Sequence, residues 1–249
     1  MSEKIDKIKH IIKSSKNIVF FGGAGVSTAS GIPDFRSKDG LHNNRGVEFE
    51  KYGAEWLLSI DCLQRKPQVF FEFYRQKMDT RHVQPNITHK ALSELEKCGK
   101  LKAVVTQNID GLHQIAGSKT VYEVHGNSQD CYCMSCKKPY NWNYVFNSDK
   151  VIPNCDCGGI VRPDITLYGE KLDLNTWNSA IDVISSADLL IVAGTSLSVY
   201  PASNLVDYFS GKNLILINKG EVDADINATV VFDGDMTEVF DEIYKEYKE

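Results

Sequence analysis

The chain has 249 residues, 42% hydrophobic and 24% charged, enough for one large domain or for one domain carrying an inserted module. A net charge of −5 excludes a nucleic-acid surface held by bulk positive charge, and apolar runs such as Leu189-Leu190-Ile191-Val192-Ala193 are too short to cross a bilayer. The N-terminus, Met1 to Lys7, is charged and lacks the apolar stretch of a signal peptide, so the expected location is cytoplasmic, with neither membrane nor nucleic acid as partner. In chain order, Ile5, Ile8, Ile11 and Ile12 recur at helical spacing and predict an amphipathic helix over 3–15. Ile18 to Phe21 is an apolar run ending in glycines, a buried strand that enters a tight turn. A helix is expected over 89–98, stopped at Gly99, followed by a strand over 101–106. A short helix around 111–116 and a strand over 121–124 come next. Further on, helices are expected over 174–185, 201–209 and 236–247, and strands over 189–193, 214–217 and 229–232.

Strands alternating with helices predict an α/β fold with a parallel sheet covered on both faces. Two stretches break the alternation: 37–84, with the aromatics Phe70, Phe71, Phe73 and Tyr74, and 127–162, with paired cysteines. The expected division is a Rossmann-like doubly wound domain from 1–36, 85–126 and 163–249. Beside it, 37–84 and 127–162 form a smaller module, a helical insertion plus a four-cysteine zinc ribbon. A cleft between two such parts is a common place for a ligand.

Seven cysteines is an odd number, and four of them stand in pairs at metal-ligand spacing, Cys133-x-x-Cys136 and Cys155-x-Cys157. Four thiolates suit a closed tetrahedral zinc site, which leaves no open position for catalysis and holds a module together. Cys131 is an alternative ligand, since Cys131-x-Cys133 also exists; Cys133 is preferred for its knuckle spacing with Cys136.

Gly22-Gly23-Ala24-Gly25 follows the first strand, where glycines let the backbone approach a pyrophosphate at a helix N-terminus. Gly23-x-Gly25 fits half of the dinucleotide fingerprint, with Thr28 in place of its third glycine. Thr106 to Gln114, followed by Val124-His125-Gly126, brings an amide, a carboxylate and an imidazole into one short segment. Asn108 and Asp110 have the chemistry to orient a ribose, and histidine is the side chain able to act as a base near neutral pH. His10 and His82 read as surface residues, and His113 as structural.

Gly22 to Gly25, Pro33-Asp34-Phe35-Arg36, Gln107-Asn108-Ile109-Asp110 and Val124-His125-Gly126 together resemble the signature of the sirtuins, the NAD-dependent protein-lysine deacylases, and the resemblance runs from Asn17 to Asn218. It implies a Rossmann-like sheet with an inserted zinc module, NAD as co-substrate and structural zinc. It implies NAD contacts from Gly23, Ala24, Gly25, Thr28, Phe35, Arg36, Gln107, Asn108, Ile109, Asp110 and His125. Gly194, Thr195, Ser196 and Asn218 complete that set. His125 is the implied general base, Asn108 orients ribose or water, and Asp110 holds the nicotinamide amide. The implied products are deacylated lysine, nicotinamide and O-acyl-ADP-ribose. Val161 to Asp164 and Tyr168-Gly169-Glu170 resemble the segment that pairs with an extended acyl-lysine peptide. At the place where desuccinylating members carry Tyr-x-x-Arg, the chain reads Tyr74-Arg75-Gln76-Lys77, which favours acetyl and other uncharged acyl groups. A second departure is His42, where an aromatic usually follows Leu41. Two readings compete: an NAD glycohydrolase or ADP-ribosyltransferase on the same fold, and a non-enzymatic NAD-sensing, zinc-containing interaction module.

Overall fold

The computed structural model describes residues 2–34, 40, 46–220, 222 and 227–248. The expectations placed on Phe35, Arg36, Leu41 and His42 lie outside the described residues.

The isoleucine stripe forms α1 (Ser2–Ser14), with Ile8 and Ile12 buried. The next run is β1 (Ile18–Gly22), buried along its whole length. Three short helices follow, α2 (Ala54–Leu57), α3 (Ile60–Arg65) and α4 (Pro67–Lys77). Helix α5 (Ile87–Lys97) starts two residues before the expected His89. Its start is set by a capping box in which Asn86 Oδ1 accepts from the Thr88 N–H (2.9 Å) and His89 Nδ1 accepts from the Asn86 N–H (3.3 Å). Then come β2 (Leu101–Thr106), α6 (Leu112–Ile115) and β3 (Val121–Glu123). The second half holds β4 (Gly126–Cys133), β5 (Pro139–Asn141), α7 (Trp142–Phe146) and β6 (Val161–Ile165). It continues with α8 (Leu174–Ser185), β7 (Leu189–Ala193), β8 (Asn213–Asn218), β9 (Val230–Asp233) and α9 (Met236–Tyr247).

Six strands make a parallel sheet in the order β3-β2-β1-β7-β8-β9, the doubly wound order with its switch point between β1 and β7. Alternate residues of its strands feed two apolar layers. Phe20, Ile191 and Ile215 pack against α1, α5 and α9; Val19, Val192 and Leu216 pack against α8 and the 202–208 turn. A strand buried on both faces loses the polar alternation of a half-exposed one, so the sheet reads in the sequence as short apolar runs.

A second, three-stranded sheet, β5-β4-β6, is antiparallel and packs with α2, α3, α4 and α7 around the buried aromatics Phe70, Phe71, Phe73 and Tyr74. The expected divisions at 126/127 and 162/163 fall inside β4 and β6, so the pairing of these strands carries Gly126 and Pro163 to Ile165 into this sheet. Two local expectations change. The glycine loop runs into two short 3-10 turns, Ala24–Val26 and Thr28–Ser30, in place of a helix, and the segment after Pro201 is a 3-10 helix, Ala202–Tyr208.

Candidate active site

The carboxyl ends of β1, β2 and β7 converge on one cavity of about 990 Å³, at the upper end of the range for ligand sites, about 300–1,000 Å³. Backbone meets backbone there. The Gly25 N–H donates to the Gly194 carbonyl (2.8 Å), and a Cβ on Gly25 would stand 2.8 Å from the Gly194 Cα. Thr195 Oγ1 accepts from Gln107 Nε2 (3.2 Å) and from the Leu197 N–H (3.1 Å), which fixes the loop after β7 against the loop after β2. Ser196 and Ser198 hydroxyls are 2.7 Å apart. Ala24, Gly25, Thr28, Gln107, Asn108 and Ile109 line the cavity. So do Asp110, His125, Gly194, Thr195, Ser196 and Asn218. Gly23 does not line it; its N–H donates to the Ala193 carbonyl and it supports the loop from behind.

His125 stands where β3 ends and the chain turns into β4. Its carbonyl accepts from the Thr166 N–H (2.8 Å). Gly126 has φ +79, and a Cβ there would collide with the Asp164 carbonyl oxygen, so only glycine lets the chain turn this close to β6. The imidazole Nδ1 lies 2.9 Å from the Gln107 carbonyl oxygen. A carbonyl only accepts, so Nδ1 carries the proton and Nε2 keeps its lone pair. Burial pushes the His125 pKa below the usual imidazole range, with the Gln107 carbonyl working in the other direction. The ring is therefore neutral at pH 7, a proton acceptor.

Asp110 is 6% exposed. Its Oδ2 accepts from Ser27 Oγ (2.6 Å) and its Oδ1 from the Leu112 N–H (2.9 Å). Burial raises its pKa, and those two hydrogen bonds lower it in part. Asn108 Nδ2 donates to Ser27 Oγ (3.1 Å), so an Asn108–Ser27–Asp110 chain fixes both side chains. Among the described residues no donor faces Asn108 Oδ1, which is left to accept from a hydroxyl or water. Asn218 Nδ2 donates to the Gly220 carbonyl (3.3 Å), which likewise leaves its oxygen as an acceptor.

The far wall comes from the smaller sheet. Arg162 is 1% exposed, and its guanidinium makes a forked pair with Glu170, Nη1 to Oε1 at 2.6 Å and Nη2 to Oε2 at 2.9 Å. It also donates to the Pro163 and Ile165 carbonyls. Glu170 accepts from the Leu167 N–H (2.8 Å), so the pair shapes the 166–170 loop that lines the cavity. Burial alone would raise the Glu170 carboxyl; Arg162 and the Leu167 N–H bring it below its ordinary value. Of the Tyr74–Lys77 pair, Lys77 lines the cavity. Tyr74 does not; it is fully buried, stacked between Phe70 and Phe146 (centroids 5.9 and 5.4 Å apart).

Sequence reasoning passed over Ser27, Ser128 and Gln129. Ser27 links the two polar side chains above. The Ser128 N–H donates to the Ile109 carbonyl, and its hydroxyl is buried at the cavity with no partner. Gln129 Nε2 donates to the Asp110 carbonyl (3.2 Å). Serine and glutamine carry no periodic or motif signal, and only the crossing of β4 beneath the 107–112 loop gives them a role.

The sulfurs of Cys133, Cys136, Cys155 and Cys157 all lie within 4.8 Å of one another, with Cys133–Cys157 at 3.5 Å and Cys136–Cys155 at 3.6 Å. Zinc–sulfur bonds of about 2.3 Å put tetrahedral sulfurs roughly 3.8 Å apart, so the donor set fits zinc. Cys131 is outside this group, buried in the aromatic core beside β6. No helix among the described residues is long and apolar enough to cross a membrane.

A family model described as the Sir2 family matches residues 23–201. The chain is 52% identical to an NAD-dependent protein deacetylase of Clostridium perfringens, across 98% of this chain and 99% of the relative. Among solved structures, a Sir2 protein with p53 peptide and NAD+ is 36% identical and superposes with a TM-score of 0.84, covering 97% of this chain and 98% of that one. A Sir2 variant with deacetylated p53 peptide and 3'-O-acetyl-ADP-ribose is 36% identical with a TM-score of 0.88, over 97% and 98% of the two chains. A match that takes in the glycine loop, the 107–110 segment, His125 and the zinc cysteines, together with near full-length identity to the relatives, means that the chain belongs to the Sir2 family, the sirtuins.

Proposed function

We infer that this chain is an NAD-dependent protein-lysine deacetylase. The observation that carries the reading is His125: a half-buried, neutral imidazole at the cavity that the glycine loops line, with its Nδ1–H committed to the Gln107 carbonyl and the Nε2 lone pair left over. The carbon-bound nicotinamide of NAD supplies the leaving group, and its ribose accepts the acyl group. His125 Nε2 takes the proton of a ribose hydroxyl. The Asn108 oxygen accepts from the ribose or a water. Asp110, with its oxygens anchored by Ser27 and Leu112, presents its remaining lone pairs to an amide N–H. Ile109 and the apolar walls keep free water from the reacting carbon. Ala24, Thr28, Thr195 and Ser196 meet the phosphates and riboses where Gly25 and Gly194 keep the walls free of side chains, Gly23 supports that loop from behind, and Asn218 holds the adenosine ribose. Phe35 and Arg36 belong to the same proposed set.

The two-part division into a dinucleotide-binding domain and a zinc module is part of this proposal. So are an O-acyl-ADP-ribose product, an extended acyl-lysine peptide along the 161–170 segment, and a cytoplasmic location. Main-chain pairing along that segment reads little sequence, so peptide preference is loose. With Tyr74 out of the cavity, the reading keeps acetyl and other uncharged acyl groups as substrates.

The test is nicotinamide release from NAD with and without an acetyl-lysine peptide. Release should need the peptide, and His125→Ala should lower it by about 10²–10⁴-fold. Peptide-independent release would move the reading to NAD hydrolysis.

A further inference from the structure

We propose that Glu123 is a positioning residue for this reaction: its carboxylate clasps, through Asn127, the turn that carries His125, and Gln129 links that clasp to the Asp110 turn. The proposal rests on the deacetylase reading above.

Glu123 is the last residue of β3, paired in register with Thr106. Four residues later, Asn127 Nδ2 lies 2.8 Å from Glu123 Oε1 and 2.9 Å from Oε2. The side chains therefore close a loop around Val124, His125 and Gly126. One carboxylate thus joins the end of β3 to the start of β4.

No other side chain among the described residues makes this joint. The His125 imidazole is held through Nδ1 alone, and the glycine after it offers no side chain of its own. What keeps the ring facing the cavity is the path of the backbone on either side, and Glu123 and Asn127 are the two ends of that path. Asn127 Oδ1 in turn accepts from the Gln129 N–H (2.7 Å), and Gln129 Nε2 donates to the Asp110 carbonyl. The clasp therefore has a route to Asp110 through β4. The Glu123 carboxyl is raised to about 7, chiefly by burial, with the Asn127 amide working against the rise and the charges of Asp110 and Asp130 adding to it. Holding a charge there is unfavourable near neutral pH, so its contribution is geometry more than stability.

The experiment uses the full chain loaded with zinc and compares Glu123→Ala, Glu123→Gln and Asn127→Ala with the parent. Two readouts are taken: backbone hydrogen exchange over 107–112 and 124–128, and kcat and KM for NAD and for an acetyl-lysine peptide. Glu123→Ala should speed exchange in both segments and lower kcat by about 10- to 100-fold, the scale of a small misplacement of a reacting group. KM for NAD should stay within about twofold, which separates lost positioning from lost binding. Glu123→Gln should recover most of kcat, because its amide oxygen still accepts from Asn127. Asn127→Ala should match Glu123→Ala, and the double variant should be no worse than either single one. Unchanged exchange in both segments, a kcat within about twofold of the parent, or additive losses in the double variant would overturn the proposal. If Glu123→Ala fails to fold, the Asn127→Ala and Glu123→Gln pair decides by the same criteria. If the parent itself releases no nicotinamide, the deacetylase reading falls, while the exchange data still decide whether the clasp exists.

Discussion

The parallel sheet and the smaller module hold together by different means. In the sheet, β1 and β7 are buried along their whole lengths, and aliphatic layers cover both faces. The module has three strands, the four- to eleven-residue helices α2, α3, α4 and α7, an aromatic cluster, a buried guanidinium and four thiolates. A core of that size needs a staple, and a metal is the staple its cysteines offer. The candidate active-site cavity lies between the two, with β1, β2 and β7 supplying one wall and the 165–170 segment the other. The site's geometry is therefore only as rigid as its less self-sufficient half.

The largest effect should come from removing the staple. Chelating the zinc, or replacing Cys133 with Ser, should unfold the module cooperatively while the sheet keeps its protection against hydrogen exchange. Activity should vanish with the module, because the 166–170 wall goes with it. Fast exchange in β1, β7 and β8 at the same rate as in β4 and β6 would break the comparison, since it would mean that the two regions unfold as one unit.

Next in size is Arg162. Its charge is buried and paired with Glu170, so Arg162→Leu leaves a carboxylate with one fewer partner in a poor dielectric. Removing one member of a buried pair costs about 3–5 kcal/mol. Chemical denaturation should show that loss. The double variant Arg162→Leu/Glu170→Leu should regain much of it, while activity stays low because the 166–170 loop loses its shape. A double variant as unstable as the single one would show that Arg162 acts through its backbone-carbonyl bonds alone.

The two regions also differ in how far they are legible in the sequence. Helices α8 and α9 fall where their apolar periodicity puts them, because each lays one stripe on a flat sheet face. Asn108, Asp110 and His125 stand out through the resemblance of 107–110 and 124–126 to the sirtuin signature, since each residue type taken alone has bland uses as well. In the module the signal fades. Helices α2 to α4 are short and their aromatics meet each other instead of a sheet, so the sequence predicts a helical insertion over 37–84 but places none of its helices. Strands β4 and β6 cross the expected boundaries because antiparallel pairing over a shared edge leaves no composition shift. Tyr74 shows the limit of motif matching: it stands in sequence where desuccinylating members carry their tyrosine, yet helix α4 turns it into the core.

A mid-sized effect tests the sheet side. His89 on α5 and His113 on α6 are buried side by side, with ring centroids 4.7 Å apart and His113 6.1 Å from Phe20. Burial lowers the His89 pKa from 6.5 to about 4. Burial, followed by the proximity of His89, puts His113 well below the usual imidazole range. Both folded values lie below the unfolded value, so between pH 6.5 and 4 the unfolded chain binds more protons. Stability is therefore full above pH 6.5 and lost as pH falls toward 4, by on the order of 3 kcal/mol for His89 alone. Replacing His89 with Gln should flatten that part of the stability–pH curve. A curve unchanged by the substitution would mean that His89 does not titrate in this window.

The smallest effect sharpens the comparison from the module side. Tyr140 on β5 donates its hydroxyl to Cys155 Sγ at 3.1 Å. A hydrogen bond to a thiolate draws off part of the charge that four sulfurs concentrate on one dication, and it fixes the ligand's direction. Tyr140→Phe removes that bond and little else, since the ring still packs on Tyr144 (centroids 4.3 Å apart). Zinc release to a chromogenic chelator should speed up by about 10-fold, the low end for an outer-shell partner. The sheet's stability and the fully loaded enzyme's kcat should stay as they were. A change in kcat without a change in zinc release would mean that β5 reaches the active site by a route other than the metal, and the module would then be more than a stapled wall.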